Sequence, residues 1–174
     1  MNVEYIRTHR TTLLDPAAHK QDKLKRLADT HRQALSECFH AGCRTMTEAN
    51  SIVTPYDLPY QVKDALKAYV PTITDANNIG SDPPIRFLNR AGRFDRNPDK
   101  NHEFAWRVPQ PGRGTNFWIP LCINPDDESL WADLVNDRRS SGGLQLLNTG
   151  DKWRLHVTLS RMADVRDVRK VRLR

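Results

Sequence analysis

The feature that most constrains this chain is a change of hydrophobic period near residue 84, with one strand-like segment left on the helical side of it. Residues 3–14 (VEYIRTHRTTLL) are rich in β-branched residues and hold no Gly or Pro, which predicts an opening strand. Asp15-Pro16 stops it. From Ala17 to Met46 the residues Leu24, Leu27, Ala28, Leu35, Cys38 and Phe39 recur at three- and four-residue spacing, which predicts one long amphipathic helix with Asp15 and Pro16 at its start. A linker is expected over residues 51–57. Asp57-Leu58-Pro59 then opens a second helix, with Val62, Ala65, Leu66, Tyr69 and Val70 on one stripe and Pro71 at its end. Residues 77–84 are polar and turn-rich. Beyond them the apolar runs shorten to strand length, at 85–88, 104–108 and 117–123, divided by the turn Pro109-Gln110-Pro111-Gly112-Arg113-Gly114. A short helical pattern follows at 129–136. Two further strands, 144–147 and 153–160, flank Asn148-Thr149-Gly150-Asp151, a hairpin signal. One strand before two helices and several after them implies an α+β chain whose first strand returns to pair with the later ones.

At 174 residues the chain suits one compact unit, and with 38% hydrophobic and 28% charged residues it has the material for a core. No window resembles a membrane span, and MNVEYIRTHR carries charges where a secretion signal needs an apolar stretch, so a cytoplasmic protein with no membrane partner is expected. Three cysteines, Cys38, Cys43 and Cys122, suggest reduced thiols. The net charge of +6 is unevenly placed. Residues 138–174 hold ten Lys and Arg against three Asp and Glu, a balance of +7, while residues 1–137 balance at -1. A second excess spans residues 86–113, where Arg86, Arg90, Arg93, Arg96, Lys100, Arg107 and Arg113 meet only Asp95, Asp99 and Glu103. Arginine's planar fork makes bidentate phosphate contacts and stacks on bases, so a polyanionic partner is the first expectation.

Signals for catalysis are thinner. His9-Arg10-Thr11 and His156-Val157-Thr158 form two H-x-T elements, as in two-histidine phosphoesterases, where paired imidazoles serve as general acid and base across a phosphodiester. With only eight residues before His9, there is no room for the strand and helix that precede the first motif in that fold. Cys38, His40 and Cys43 lie within six residues, but Cys38 and Cys43 project to different faces of a helix and no second ligand pair has finger-like spacing. No cofactor is expected. The sequence shows no phosphate-cradling Gly-rich loop, no G-x-S-x-G elbow and no convergent carboxylates. The expectation is a binder and not an enzyme, with a two-histidine phosphoesterase acting on RNA ends, His9 and His156 as its acid and base, as the alternative. Aromatic and basic residues interleave at Arg86-Phe87, Arg93-Phe94, Trp106-Arg107 and Lys152-Trp153-Arg154, as on β-surfaces that hold single strands or RNA.

The order of an opening strand, LPYQVKDAL, RFDRN, PGRGTNFWIPLCIN and GDKWRLHVTLSR resembles the N-terminal half of TnpB-type transposon-encoded RNA-guided nucleases, relatives of type V CRISPR effectors. The resemblance implies an α+β fold, a small oligonucleotide-binding-like β-barrel (the wedge) interrupted after its first strand by a helical recognition insertion. Residues 1–14 would then be the first strand, 15–80 the insertion, and 81–174 the rest of the barrel with a basic C-terminal tail. It further implies contacts with a structured guide-type RNA and with duplex DNA beside a target. The expected nucleic-acid contacts are Arg86, Arg90, Arg93, Arg96, Arg107, Arg113, Lys152, Trp153, Arg154, Arg161, Arg169, Lys170 and Arg172. In the family a RuvC-like nuclease domain follows. The 174 residues hold no such carboxylate triad, so nuclease activity does not carry over to them; a split product partnered by a separately encoded RuvC-like nuclease subunit, a truncated or fragmentary chain, and a family member repurposed as a binder all fit.

Overall fold

The computed structural model describes residues 2–73, 80–96, 103–136 and 141–164, with residues 2–5 and 160–164 through their backbone alone. The chain opens with β1 (Asn2–Leu13), followed by helices α1 (Ala18–His40), α2 (Met46–Val53) and α3 (Tyr60–Tyr69). Strands β2 (Ile85–Phe87), β3 (Phe94–Arg96), β4 (Phe104–Val108) and β5 (Phe117–Cys122) precede α4 (Glu128–Val135), and β6 (Ser141–Asn148) and β7 (Trp153–Asp164) follow it. Among the described residues these strands form one antiparallel sheet in the order β2-β6-β7-β1-β5-β4-β3. The first strand lies at the sheet's centre, antiparallel to β7 from Asn2↔Asp164 to Thr12↔Arg154. On its other side it meets β5 at Thr12↔Cys122 and Leu13↔Leu121.

The sheet is curled, and the reason is visible in a pair of rings. Strands β2 and β4 are five intervals apart in the sheet, which at strand spacing would separate them by about 24 Å if it were flat. Yet Phe87 of β2 and Trp106 of β4 meet edge to face with centroids 5.4 Å apart. The right-handed twist that side-chain sterics impose on strands bends the sheet around these large apolar residues. Only residues 88–93 connect β2, at one edge, to β3, at the other, so this short segment spans the opening between the two edges.

The helices follow their apolar stripes. Leu24, Leu27, Ala34, Leu35 and Cys38 of α1, Ala49 and Val53 of α2, and Val62 and Leu66 of α3 join one core with Phe87, Trp106, Ile119, Leu144, Leu155 and Val157 of the strands. Each Leu, Ile, Val or Phe among them contributes about 1.5–3 kcal/mol on burial. Two departures from the sequence reading have local causes. The long helix expected to Met46 ends at His40, because Gly42 takes φ +69° and Thr45 caps a new helix: its side chain accepts from Glu48 N, and Glu48 returns a bond to the Thr45 N–H. The linker expected over 51–57 is helical to Val53 for the same reason. Strand β3 was also not expected. It forms by pairing with β4 at Phe94↔Trp106, Asp95↔Ala105 and Arg96↔Phe104. At the β6–β7 turn, Gly150 takes φ +89° and its N–H is held by Asn148 Oδ1 at 3.0 Å, as the hairpin reading requires.

A candidate anion-binding cleft

The segment bridging the two edges of the sheet carries the arginines that matter. Residues Asn89–Ala91 form one 3-10 turn, so Arg90 lies on the bridge and Arg93 at the start of the approach to β3. The bridge is fastened on three sides. Leu88 N donates to Gln61 O of α3 at 3.2 Å, Trp106 Nε1 donates to Ala91 O at 2.9 Å, and Arg107 N donates to Arg93 O at 2.9 Å. A Cβ on Gly92 would overlap Ser141 Oγ of β6, so the bridge approaches that strand as closely as only glycine allows.

Around this bridge lies a cleft of about 520 Å³, lined by Arg90, Arg93 and Arg107, by Gln61, Asn89 and Asn116, and by Tyr60, with Ala91, Gly92 and Pro109 between them. Among the described residues, no acidic residue lines it. Among the described residues no carboxylate lies within ion-pair distance of Arg90, Arg93 or Arg107. Three arginines lining one concavity with no described carboxylate beside them raise its potential and favour an anion with several oxygens. Tyr60, at the first position of α3, is 55% exposed.

The other expected contacts divide among different fates. Arg96 forms an ion pair with Glu103 and a second, 3.3 Å long, with Glu128 of α4, and lies over the Phe104 ring. Arg86 lies 4.0 Å from the centre of the Tyr69 ring, a stacking contact between β2 and α3. Trp153 is 8% exposed and belongs to the core, so its ring is not open to a base. Trp106 is buried likewise, whereas Trp118 is exposed. Arg113 is exposed on the β4–β5 turn, and Lys152 on the β6–β7 turn. Arg154 is exposed on the sheet's outer face, opposite Thr12. Arg161 stands opposite Tyr5 in the β1–β7 ladder, and Arg169, Lys170 and Arg172 lie outside the described residues. Sequence reasoning missed Tyr60, Gln61, Asn89 and Asn116. Tyr60 did leave a signal, an aromatic outside the apolar stripe of α3.

The two histidines are not brought together. Directly paired residues of an antiparallel ladder project to one face, and β1 pairs His9 with Val157 and Arg10 with His156. His9 therefore shares the buried face of Thr11, Leu13 and Val157, with Nδ1 3.4 Å from Asp127 Oδ2, while His156 shares the outer face with Arg10. Burial, then the charges of Arg10 and Arg154, lower the His156 pKa. Adjacent strands place the residues close in the backbone and opposite in direction, so the pair cannot flank one phosphodiester. Cys38 and Cys43 are both buried, and burial with the neighbouring Cys43 pushes the Cys38 thiol up to about 12. Among the described residues no group of three His, Cys, Asp or Glu could hold a metal ion, and no helix is long and apolar enough to cross a membrane. No protein-family model matches the chain, and no curated protein matches it closely enough to count as a relative.

Proposed function

We propose that this chain is a nucleic-acid-binding module, similar to the guide-RNA and target-adjacent-DNA binding part of a TnpB-like RNA-guided transposon nuclease, with no catalytic role of its own. In this reading the curled sheet is an oligonucleotide-binding-like wedge barrel and the helices of residues 15–80 are its recognition insertion. Cleavage would fall to a RuvC-like nuclease, whether in a separate chain or in a longer form of this one. One observation carries the proposal: among the described residues, three arginines without carboxylate partners line one cleft that holds no acidic residue and includes an exposed tyrosine. Phosphates supply the oxygens that such a cluster lacks, and bases supply a face for the ring.

The test is binding of a structured RNA as a function of salt. Arg90→Ala, Arg93→Ala and Arg107→Ala together remove three phosphate partners and should reduce the slope of log K against log salt by about 2, since each contact to a single strand contributes about 0.7. The control removes the same charge from exposed positions on α1: Lys25, Arg26 and Arg32. Lys20 and Lys23 are unsuitable there, because Lys20 Nζ donates to Trp118 O at 2.8 Å and Lys23 lies over the Phe117 ring. Equal losses in both triple variants, or a slope near zero in the parent, would overturn the proposal.

A further inference from the structure

Resting on that reading, we infer that the cleft receives one unstacked nucleotide of an RNA strand, with its base against Tyr60 and its flanking phosphates on Arg90, Arg93 and Arg107. Size is the first argument. A cavity of about 520 Å³ falls within the range of small-ligand sites and is too small for a helical stem. Its inventory is the second. Two kinds of recognition group stand side by side: guanidinium groups, which take phosphate oxygens, and an exposed aromatic ring, which takes a base face. A cleft meant for a free inorganic anion needs no ring, and a surface meant only for the backbone of a duplex needs no cavity.

Selectivity has its own residues. Gln61, Asn89 and Asn116 line the cleft, and their side chains are amides, which carry both donors and acceptors and so match the edges of an unpaired base or a 2′-hydroxyl. Asn116 already uses Oδ1 to accept from Gln110 N at 2.9 Å, which fixes its side chain and leaves its NH2 group to donate. The site is also preorganised. The bridge that carries Arg90 and Arg93 is hydrogen-bonded to α3 and β4 and packed on β6, so little conformational freedom is lost when a ligand enters. RNA is the strand assigned because its bulges and loops display unstacked nucleotides, whereas duplex DNA keeps its bases inside the helix.

Fluorescence anisotropy on the full chain tests the inference with four probes: a hairpin RNA with one unpaired nucleotide in the stem, the same stem fully paired, and the DNA version of each. The bulged RNA should bind about 10-fold more tightly than the paired stem, the scale of one base stacked on an aromatic ring. Tyr60→Ala should abolish that advantage and leave paired-stem affinity unchanged, and Tyr60→Phe should preserve it. Tyr60 is largely exposed, so neither change threatens the fold. Equal binding of bulged and paired RNA, or a Tyr60→Ala loss shared equally by both, overturns the nucleotide site while nucleic-acid binding stands. A preference confined to the DNA bulge overturns the assignment to RNA. Failure of all four probes to bind overturns the site together with the proposed function.

Discussion

The indole Nε1 of Trp106 donates a buried 2.9 Å hydrogen bond to the carbonyl oxygen of Ala91, and this bond ties the core to the cleft. Trp106 is fully buried on β4, while Ala91 sits on the bridge between Arg90 and Arg93. Rigidity of the sheet is thereby passed to two of the three guanidinium groups. The neighbouring residue contributes the third, for Arg107 lines the cleft and also bonds the bridge through its backbone N–H.

Replacing Trp106 by Phe keeps an aromatic in the core but removes one of the two donors to the Ala91 carbonyl, which keeps the Arg93 N–H at 2.9 Å. The loss of one hydrogen bond costs about 0.5–1.5 kcal/mol, and the lost ring volume adds to it. The expected outcome is a fall in urea-unfolding stability of about 1–3 kcal/mol, with RNA affinity at 25 °C falling more than the folded fraction accounts for. Affinity that simply follows the folded fraction would show that the bond does not position the arginines.

His31 gives the fold a built-in acid sensitivity. It is fully buried on α1 with neither ring nitrogen hydrogen-bonded, and burial, assisted by the nearby charge of Arg86, lowers its pKa from 6.5 to about 4. The unfolded chain therefore takes up the proton first as pH falls. His31's contribution is intact above pH 6.5 and is lost progressively between 6.5 and 4, in total about 3 kcal/mol at 1.36 kcal/mol per pH unit. The urea midpoint should drop between pH 7 and pH 5, and His31→Leu should flatten that drop. A variant whose midpoint falls as steeply as the parent's would show that other groups carry the sensitivity.

Most of the strands and helices legible in the sequence are long enough to display a period, while β2, three residues long, is legible as the apolar run 85–88. The central strand β1, helices α1 and α3 and the later strands β4 to β7 carry an alternation or an apolar stripe, the shortest over the five residues of β4. Strand β3, three residues long, carries none, and exists because β4 offers it partners. The break at Gly42 was legible in kind, since Thr45 and Glu48 have the spacing of a capping box, but the apolar stripe running past it concealed the stop. Charge was legible by segment only. Arg90, Arg93 and Arg96 look alike in sequence, and what separates them is Glu128, a residue 32 positions from Arg96 that α4 brings to it. Likewise, nothing local says that Arg107 will join Arg90 and Arg93, because that depends on which strands form the edges of the sheet.

The histidines offer a sharper distinction. A two-histidine catalyst loses turnover when either imidazole is replaced, and the double variant loses little more than one. Here His9→Gln disturbs a buried side chain and its contact with Asp127, whereas His156→Gln changes an outer-face residue. The former should cost about 1–2 kcal/mol of stability and the latter less than about 0.5, with the double variant near their sum. No metal-independent hydrolysis of cyclic phosphates or short RNA should accompany either. Turnover in the parent that both single variants abolish would make the chain an enzyme.

Arg93 and Arg96 provide the most direct comparison, because they are three residues apart, carry the same charge and have opposite surroundings. Arg93 is exposed, lines the cleft and has no carboxylate within ion-pair distance among the described residues. Arg96 is held between Glu103 and Glu128, joining β3 to α4. Their substitution should therefore separate binding from stability. Arg93→Ala should reduce the salt slope for RNA binding by about 0.7, the share of one phosphate contact, and leave the unfolding midpoint unchanged. Arg96→Ala should leave the slope intact and lower stability by no more than about 1 kcal/mol, since both of its ion pairs are solvent-exposed and screened by salt. That small loss should itself shrink as salt is raised. Equal changes of slope in the two variants would mean that net charge alone attracts the RNA, and the cleft would lose its claim to be the site.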